Sequence, residues 1–124
     1  MSENNKHLVT QYLSTVWNEG ETAEADRFLA EDLVQHNPGL PDGRKPVVEF
    51  VAGFKAQVPQ GRFEIRRIAA DADLVFVHSH FTAQAGDRGM AVVDVFRIAD
   101  GLIAEHWDVK EDVPETTAGG RPIV

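Results

Sequence analysis

The feature that most constrains this 124-residue chain is a change of hydrophobic period at Gly61. Before Gly61, apolar residues recur at helical spacing, whereas after it apolar and polar residues alternate in four segments. These segments span 62–70, 73–84, 89–98 and 102–110. Short turn sequences separate them, which favours antiparallel neighbours. The pattern predicts an α+β fold in which helices cover one face of a curved, mainly antiparallel sheet.

The N-terminal part predicts three helices and one short extended segment. Apolar residues from Leu8 to Trp17 form one stripe of a helix over 3–19, and Asn18-Glu19-Gly20 ends it. Thr22 is a plausible N-cap for a second, shorter helix that runs through Leu29. Residues 33–36 form a short strand or extended segment before two turn signals, and Pro46 suits the first turn of a third helix. The tail over 114–124 lacks periodicity and is expected to be a mobile arm or lid.

Length and composition limit the class of protein. The length suits one domain spanning 1–124, with one core and one internal pocket. A net charge of −8 disfavours nucleic acid as a partner, because phosphates would be repelled. The absence of cysteine excludes disulfides, thiolate zinc sites and cysteine nucleophiles. Neither a signal region nor an apolar run of membrane-spanning length occurs, so we expect a soluble cytoplasmic protein without a membrane partner.

Asp94 is the residue whose position most strongly suggests chemistry. Alternation places it on one strand face with Val92, Phe96 and Ile98, where an ionised carboxylate loses hydration and its pKa should rise. Such a group is seldom retained without a partner or a use. The candidate partners are the four histidines of the strands and the Pro-rich turn. They are His36, His78, His80 and His106.

Three segments together resemble the SnoaL-like polyketide cyclases of the nuclear transport factor 2-like superfamily, which also includes ketosteroid isomerase. They read LVQHNPGLPDG, DLVFVHSHF and VVDVFRIADGLIAEHWDV. The resemblance covers nearly the whole chain up to Val109. It implies a cone-shaped α+β barrel with three N-terminal helices, a deep apolar cavity and a homodimeric assembly. The apolar residues Val75, Val77, Phe81, Val93 and Val95 are expected to form the outer face that supports this dimer.

The resemblance also implies roles for individual residues. Asp94 matches the cavity aspartate that serves as acid/base, and His78 resembles the strand histidine of the cyclases. His36 and Asn37 fall where the isomerase has its general base, which is absent here. Strand alternation and the resemblance together place His106 and Asp108 on the inner face of the last strand. Trp107 is then expected to pack on the opposite face. The expected catalytic residues are therefore Asp94, His78, His106 and His36, and the expected substrate-binding residues are Asn37, Tyr12, Phe76, His80, Phe96 and Asp108.

These residues predict acid/base chemistry on a small, mostly apolar carbonyl compound, and the SnoaL-like resemblance implies that no metal or organic cofactor takes part. The SnoaL-like resemblance implies an intramolecular aldol reaction or a related isomerisation or dehydration. A binding module of the same fold without catalysis is the main alternative. A metal site built on His78 and His80 with His106 or Asp94 is another. An epoxide hydrolase is disfavoured, because Arg97 lies on the strand face opposite Asp94.

Overall fold

The computed structural model describes residues 2–124 and contains three helical regions and five strands. Helix α1 (Ser2–Tyr12) continues as a π-helical segment (Leu13–Asn18), a 3-10 segment spans Thr22–Arg27, and helix α2 spans Arg44–Gln57. The strands are β1 (Leu29–Gln35), β2 (Arg62–Asp71), β3 (Leu74–Thr82), β4 (Met90–Ala99) and β5 (Leu102–Asp112). The predicted α+β class is confirmed.

The boundaries differ from the prediction mainly before Gly61. The second predicted helix is a single 3-10 segment that ends at Arg27, and Leu29 already belongs to β1. The third helix begins at Arg44, so Pro46 lies in its first turn, where its missing N–H has no intrahelical acceptor. Strand β1 is therefore longer than the extended segment predicted over 33–36.

The strands form one open, mixed sheet in the order β1-β5-β4-β3-β2. Strands β2 to β5 make an antiparallel meander, as their short turns predict. Strand β1 instead pairs in parallel with β5, so that Gln35 lies beside His106. This parallel pair places the end of β1, and the Pro-rich turn after it, next to His106 of β5.

The core lies between the inner face of the sheet and the helices. Val75, Val77, Phe96, Ile98 and Ile103 are buried from the sheet side. The helical regions contribute Val9, Val16, Val47 and Val51 to the same cluster. Burial of these side chains is the main stabilising term, at roughly 1.5–3 kcal/mol for each large one relative to exposure. The helices thus cover one face of the sheet.

The prediction that His78 of β3 lies on the inner face of the sheet, with Asp94, is wrong. Val77 pairs directly with Asp94, and His78 pairs with Val93. Residues paired across an antiparallel ladder share a face, so Val77 points inward with Asp94 and His78 points outward. Val75 and Val77 are buried, and Phe81 lies against Phe54 of α2, so none of these three belongs to the outer face. Both faces of β3 carry apolar residues, and alternation alone does not indicate which one the helices cover.

The segment after β5 has no helix or strand. Thr117 donates a hydrogen bond from Oγ1 to the carbonyl of Arg121 at 2.7 Å, and the side chain of Val124 is buried. A role as a lid stays a prediction. Across residues 2–124, no helix is both long enough and apolar enough to span a membrane.

Candidate active site

A cavity of about 250 Å³ lies between the helices and the inner face of the sheet. This volume is slightly below the usual range for drug-sized ligands, so the cavity suits a small molecule. One end is aromatic, and the other carries the polar groups of β1, β4, β5 and the Pro-rich turn. These polar residues are Gln35, Asn37, Asp94, His106, Asp108 and Lys110.

Asp94 and His106 form a buried pair at the polar end. His106 Nε2 lies 2.7 Å from Asp94 Oδ1, and the two side chains are only 14% and 8% exposed. Neighbouring strand register produces this contact, since Phe96 pairs with His106 and Asp94 pairs with Asp108. Asp94 Oδ2 accepts no hydrogen bond from any residue in 2–124 and is the carboxylate oxygen left for a ligand.

Burial raises the pKa of Asp94, although the hydrogen bond and charge of His106 act in the opposite direction. The charge of Asp108 adds to the increase. Desolvation penalises the ionised form, and here it outweighs the opposing contributions of His106 and, to a smaller extent, of the Lys110 charge. The folded site therefore shifts Asp94 toward its protonated form, as suits a group that accepts a proton and later returns it.

Asp108 is held in place by Asn37. The Asn37 Nδ2 group donates to Asp108 Oδ2 at 2.8 Å and to Oδ1 at 3.0 Å. Asn37 Oδ1 accepts from the backbone N–H of Gly39 at 2.7 Å, which orients the amide group. Asn37 thus holds the carboxylate of Asp108 in one orientation, and both residues line the cavity.

Tyr12 supplies a neutral hydroxyl to the cavity. Trp17 Nε1 donates to the Tyr12 oxygen at 2.8 Å, and the ring packs against Phe28 and Phe96. Burial strongly raises the pKa of Tyr12, so its phenol stays protonated. The Tyr12 proton has no acceptor among the described residues and is free to be donated to a ligand.

The other end of the cavity is a cluster of aromatic rings. Trp17 contacts Phe50, Phe54 and Phe63 at centroid distances of 5.7–6.0 Å. Phe81 completes the cluster at 5.1 Å from Phe63. From sequence, Trp17 is predicted to be a core or interface residue. Its place in the cavity lining becomes visible only when the π-helical segment, α2, β2 and β3 come together.

Four of the residues predicted for the site lie outside it. Their strand phase, or in one case the position after β1, turns them to the outer face. His78 accepts from Arg67 Nη1 at 2.9 Å, and His80 Nε2 donates to the carbonyl of Arg88 at 2.7 Å. Phe76 is 41% exposed. His36 stacks on Trp107 at 4.8 Å and contacts Glu105. The predicted meeting of His78, His80 or His36 with Asp94 is therefore wrong.

The predicted positions of Asp94, His106, Asn37, Tyr12, Phe96 and Asp108 agree with the structure, since all six line the cavity. Sequence reasoning missed Gln35 and Lys110. Lys110 could have been found, because it follows His106 and Asp108 in the same strand phase. Gln35 carries no such signal, since its place depends on the parallel pairing of β1 with β5.

The same end of the cavity contains three groups of the types that bind metals. Ligand atoms of Asp94, His106 and Asp108 lie within 4.8 Å of one another. The contacting atoms of Asp94 and His106 are engaged with each other, and both Asp108 oxygens accept from Asn37. Because both ring nitrogens of His106 are engaged, a metal bound there would replace its contact with Gln35 or with Asp94. The metal set predicted on His78 and His80 cannot form with Asp94 or with His106, because the two histidines lie on the opposite face of the sheet.

Comparison with known proteins identifies the family. Residues 9–106 match the family model described as SnoaL-like domain. The chain belongs to the SnoaL-like domain family. This SnoaL-like chain is 26% identical over 113 residues to "Probable cyclase otaY" of Aspergillus carbonarius (strain ITEM 5010), with 87% of this chain and 89% of the relative covered.

Solved structures support the fold of this SnoaL-like protein. A SnoaL-like polyketide cyclase from Agrobacterium tumefaciens superposes with a TM-score of 0.72 at 14% identity, covering 86% of this chain and 91% of that one. A Kribbella flavida protein provisionally named a ketosteroid isomerase gives a TM-score of 0.75 at 23% identity, covering 95% and 85%. These likenesses establish the α+β cone fold.

Proposed function

We propose that this SnoaL-like protein catalyses acid/base chemistry at a carbon next to a carbonyl group, on a small and mostly apolar compound. The observation that carries the proposal is the Asp94–His106 pair, which is buried, in contact at 2.7 Å and open to an apolar cavity. The name of the Aspergillus relative, a cyclase, is consistent with ring closure as the overall reaction.

The proposed reaction begins with proton transfer. Asp94 in its ionised form accepts the α-proton through Oδ2, and its burial then favours the neutral acid that results. The electron pair of the broken C–H bond forms an enolate, whose oxygen accepts a hydrogen bond from the hydroxyl of Tyr12. His106 compensates the changing charge on Asp94 through the contact with Oδ1.

Ring closure follows if the substrate carries a second carbonyl group. The enolate carbon forms a bond to that carbonyl carbon, and the new alkoxide takes the proton back from Asp94. The reaction is balanced within one molecule, without a cofactor. The aromatic cluster around Trp17 would hold the substrate in a folded shape, which brings the reacting carbons together.

Exchange of α-hydrogen for deuterium tests the proposal directly, because it detects the first proton transfer whatever product follows. The protein is incubated in D₂O with a panel of small aromatic and alicyclic ketones and diketones, and exchange is followed by mass spectrometry. We expect catalysed exchange with some members, and about a hundred-fold loss in Asp94→Asn. The exposed Asp32→Asn is the matched control and should retain the wild-type rate. Equal exchange by Asp94→Asn and the wild type would refute the assignment.

A binding module without catalysis is the second candidate, supported by the mainly apolar lining of the cavity. It predicts saturable binding of panel compounds, detected by ligand-observed NMR, without exchange in the wild type. Asp94→Asn would then bind as well as or better than the wild type, because no proton transfer is needed.

We further propose that the protein is a homodimer formed through the outer face of the sheet. Phe76, Val95 and Trp107 lie in one row across β3, β4 and β5. Phe76 is 41% and Val109 68% exposed, which makes this an apolar surface in need of a partner. Light scattering should give twice the monomer mass for the wild type and for the control Lys45→Glu, and the monomer mass for Val109→Glu. A monomeric wild type would refute the dimer. Cytoplasmic location stays a prediction.

A further inference from the structure

Gln35 contacts the side of His106 that faces away from Asp94. Gln35 Oε1 lies 2.7 Å from His106 Nδ1, while His106 Nε2 lies 2.7 Å from Asp94 Oδ1. We propose that Gln35 is a positioning residue that keeps Nδ1 of His106 protonated, so that His106 and Asp94 share one proton between Nε2 and Oδ1. This inference deepens the proposed function and rests on it only for its catalytic consequence.

The orientation of the Gln35 amide follows from a second contact. The backbone N–H of Asn37 donates to the same Gln35 atom at 3.2 Å. A backbone N–H can only donate, so the atom it meets must be the amide oxygen and not the amide nitrogen. This removes the usual ambiguity of a glutamine side chain. The oxygen then accepts from His106, and Nδ1 must carry a hydrogen.

The protonation of Nδ1 limits what Nε2 can do. In a neutral imidazole only one ring nitrogen carries a proton, so Nε2 accepts from a protonated Asp94. In an imidazolium both nitrogens donate, and Nε2 donates to an ionised Asp94. In either case one proton lies between the two side chains. The other neutral tautomer would bring two lone pairs together at 2.7 Å, at Nδ1 and Gln35 Oε1.

Among the described residues around His106, Gln35 is the one that contacts Nδ1. Phe96 covers the ring at a centroid distance of 4.9 Å, and Asp94 approaches from β4. The two oxygens of Asp108 accept from Asn37, and the cavity-lining Lys110 and Tyr12 form no hydrogen bond with His106 within the described chain. The parallel β1–β5 register places Gln35 directly beside His106. The position is therefore fixed by backbone as well as by side-chain contacts.

Nitrogen-15 NMR of the imidazole groups tests the tautomer without any substrate. The His106 signals are assigned by their loss in His106→Gln. We expect Nδ1 of the wild type to remain protonated wherever the protein is folded between pH 5 and 9. Gln35→Leu should show His106 with Nδ1 unprotonated in part of the population. Gln35→Glu, whose carboxylate still accepts from Nδ1, should restore the wild-type pattern, and the exposed Gln11→Leu should not alter it.

Two results would overturn the proposal. One is an unprotonated Nδ1 in the folded wild type, a measurement that needs no variant to fold. The other is a wild-type tautomer pattern in a folded Gln35→Leu. In the exchange assay, Gln35→Leu should lose about ten-fold in rate and Gln35→Glu should recover most of it. Absence of exchange in the wild type would refute the proposed function, while the NMR pattern would still decide the role of Gln35.

Discussion

The two faces of the sheet carry histidine–carboxylate pairs of equal length but different surroundings. His106 and Asp94 meet at 2.7 Å on the inner face, and His36 and Glu105 meet at 2.7 Å on the outer face. Glu105 and His106 are consecutive on β5, so alternation sends them to opposite sides. The inner side chains are 14% and 8% exposed, and the outer ones 42% and 19%.

The two carboxylates respond in opposite directions. Burial raises the pKa of Asp94, whereas hydrogen bonds from His36 and then from Arg97 lower the pKa of Glu105. In both pairs the hydrogen bond from the histidine lowers the pKa of the carboxylate. The directions differ because desolvation outweighs the hydrogen bond at Asp94, whereas the hydrogen bonds outweigh desolvation at Glu105.

The largest expected difference between the pairs is in catalysis. His106→Gln should lower the rate of α-hydrogen exchange about a hundred-fold, because the charge that develops on Asp94 loses its compensating partner. His36→Gln should leave the rate unchanged, since His36 stacks on Trp107 outside the cavity. Initial rates on one exchanging ketone measure both. A comparable loss in His36→Gln would mean that the outer pair takes part in the reaction.

The next effect concerns the two faces of β3. Val77→Ala should lower the free energy of unfolding by about 2 kcal/mol, through lost burial and a residual cavity. His78→Ala, one residue later and on the outer face, should cost less than about 0.5 kcal/mol in the monomeric background of Val109→Glu. Urea denaturation followed by circular dichroism provides both values. Equal costs would contradict the assigned faces.

A smaller effect is the dependence of stability on pH. Because the pKa of Asp94 is raised in the folded state, its contribution is fully present below its ordinary value and is lost as pH rises through the raised value. Asp94→Asn should therefore gain stability relative to the wild type with increasing pH. Glu105 has a lowered pKa, so its contribution is lost as pH falls, and Glu105→Gln should be destabilised mainly near neutrality.

Unfolding measured from pH 3 to 8 compares these two variants with the wild type, because the Glu105 contribution changes only below its ordinary pKa of 4.5. The two difference curves should slope in opposite directions. Parallel curves would show that burial does not distinguish the pairs.

The smallest expected effect is the response to salt. The outer pair is accessible to ions, which screen its attraction at high ionic strength. The loss of melting temperature in Glu105→Gln should therefore shrink between 50 mM and 0.5 M NaCl, whereas the difference for Asp94→Asn should hardly change. Differential scanning fluorimetry measures both. A strong salt response of the inner variant would indicate that water reaches Asp94.

The position of Asp94 was accessible from sequence, since apolar neighbours at both i±2 positions mark an inward-facing carboxylate. His106 was accessible as one of four candidates. The error at His78 has a clear cause, because Phe76 on one face of β3 is as apolar as Val75 and Val77 on the other. The contact of Gln35 with His106 could not be predicted from sequence, since a glutamine at a strand end carries no signal of its partner.

The sequence alone determined the succession of helices and strands, the antiparallel meander and the inward position of Asp94. These follow from local properties: hydrophobic period, turn residues and the cost of desolvating a charge. The tertiary structure decided that His106 is the histidine that contacts Asp94, and that Gln35 contacts the other ring nitrogen of His106. Such contacts depend on inter-strand register and on which face the helices cover, and alternation within a single strand specifies neither.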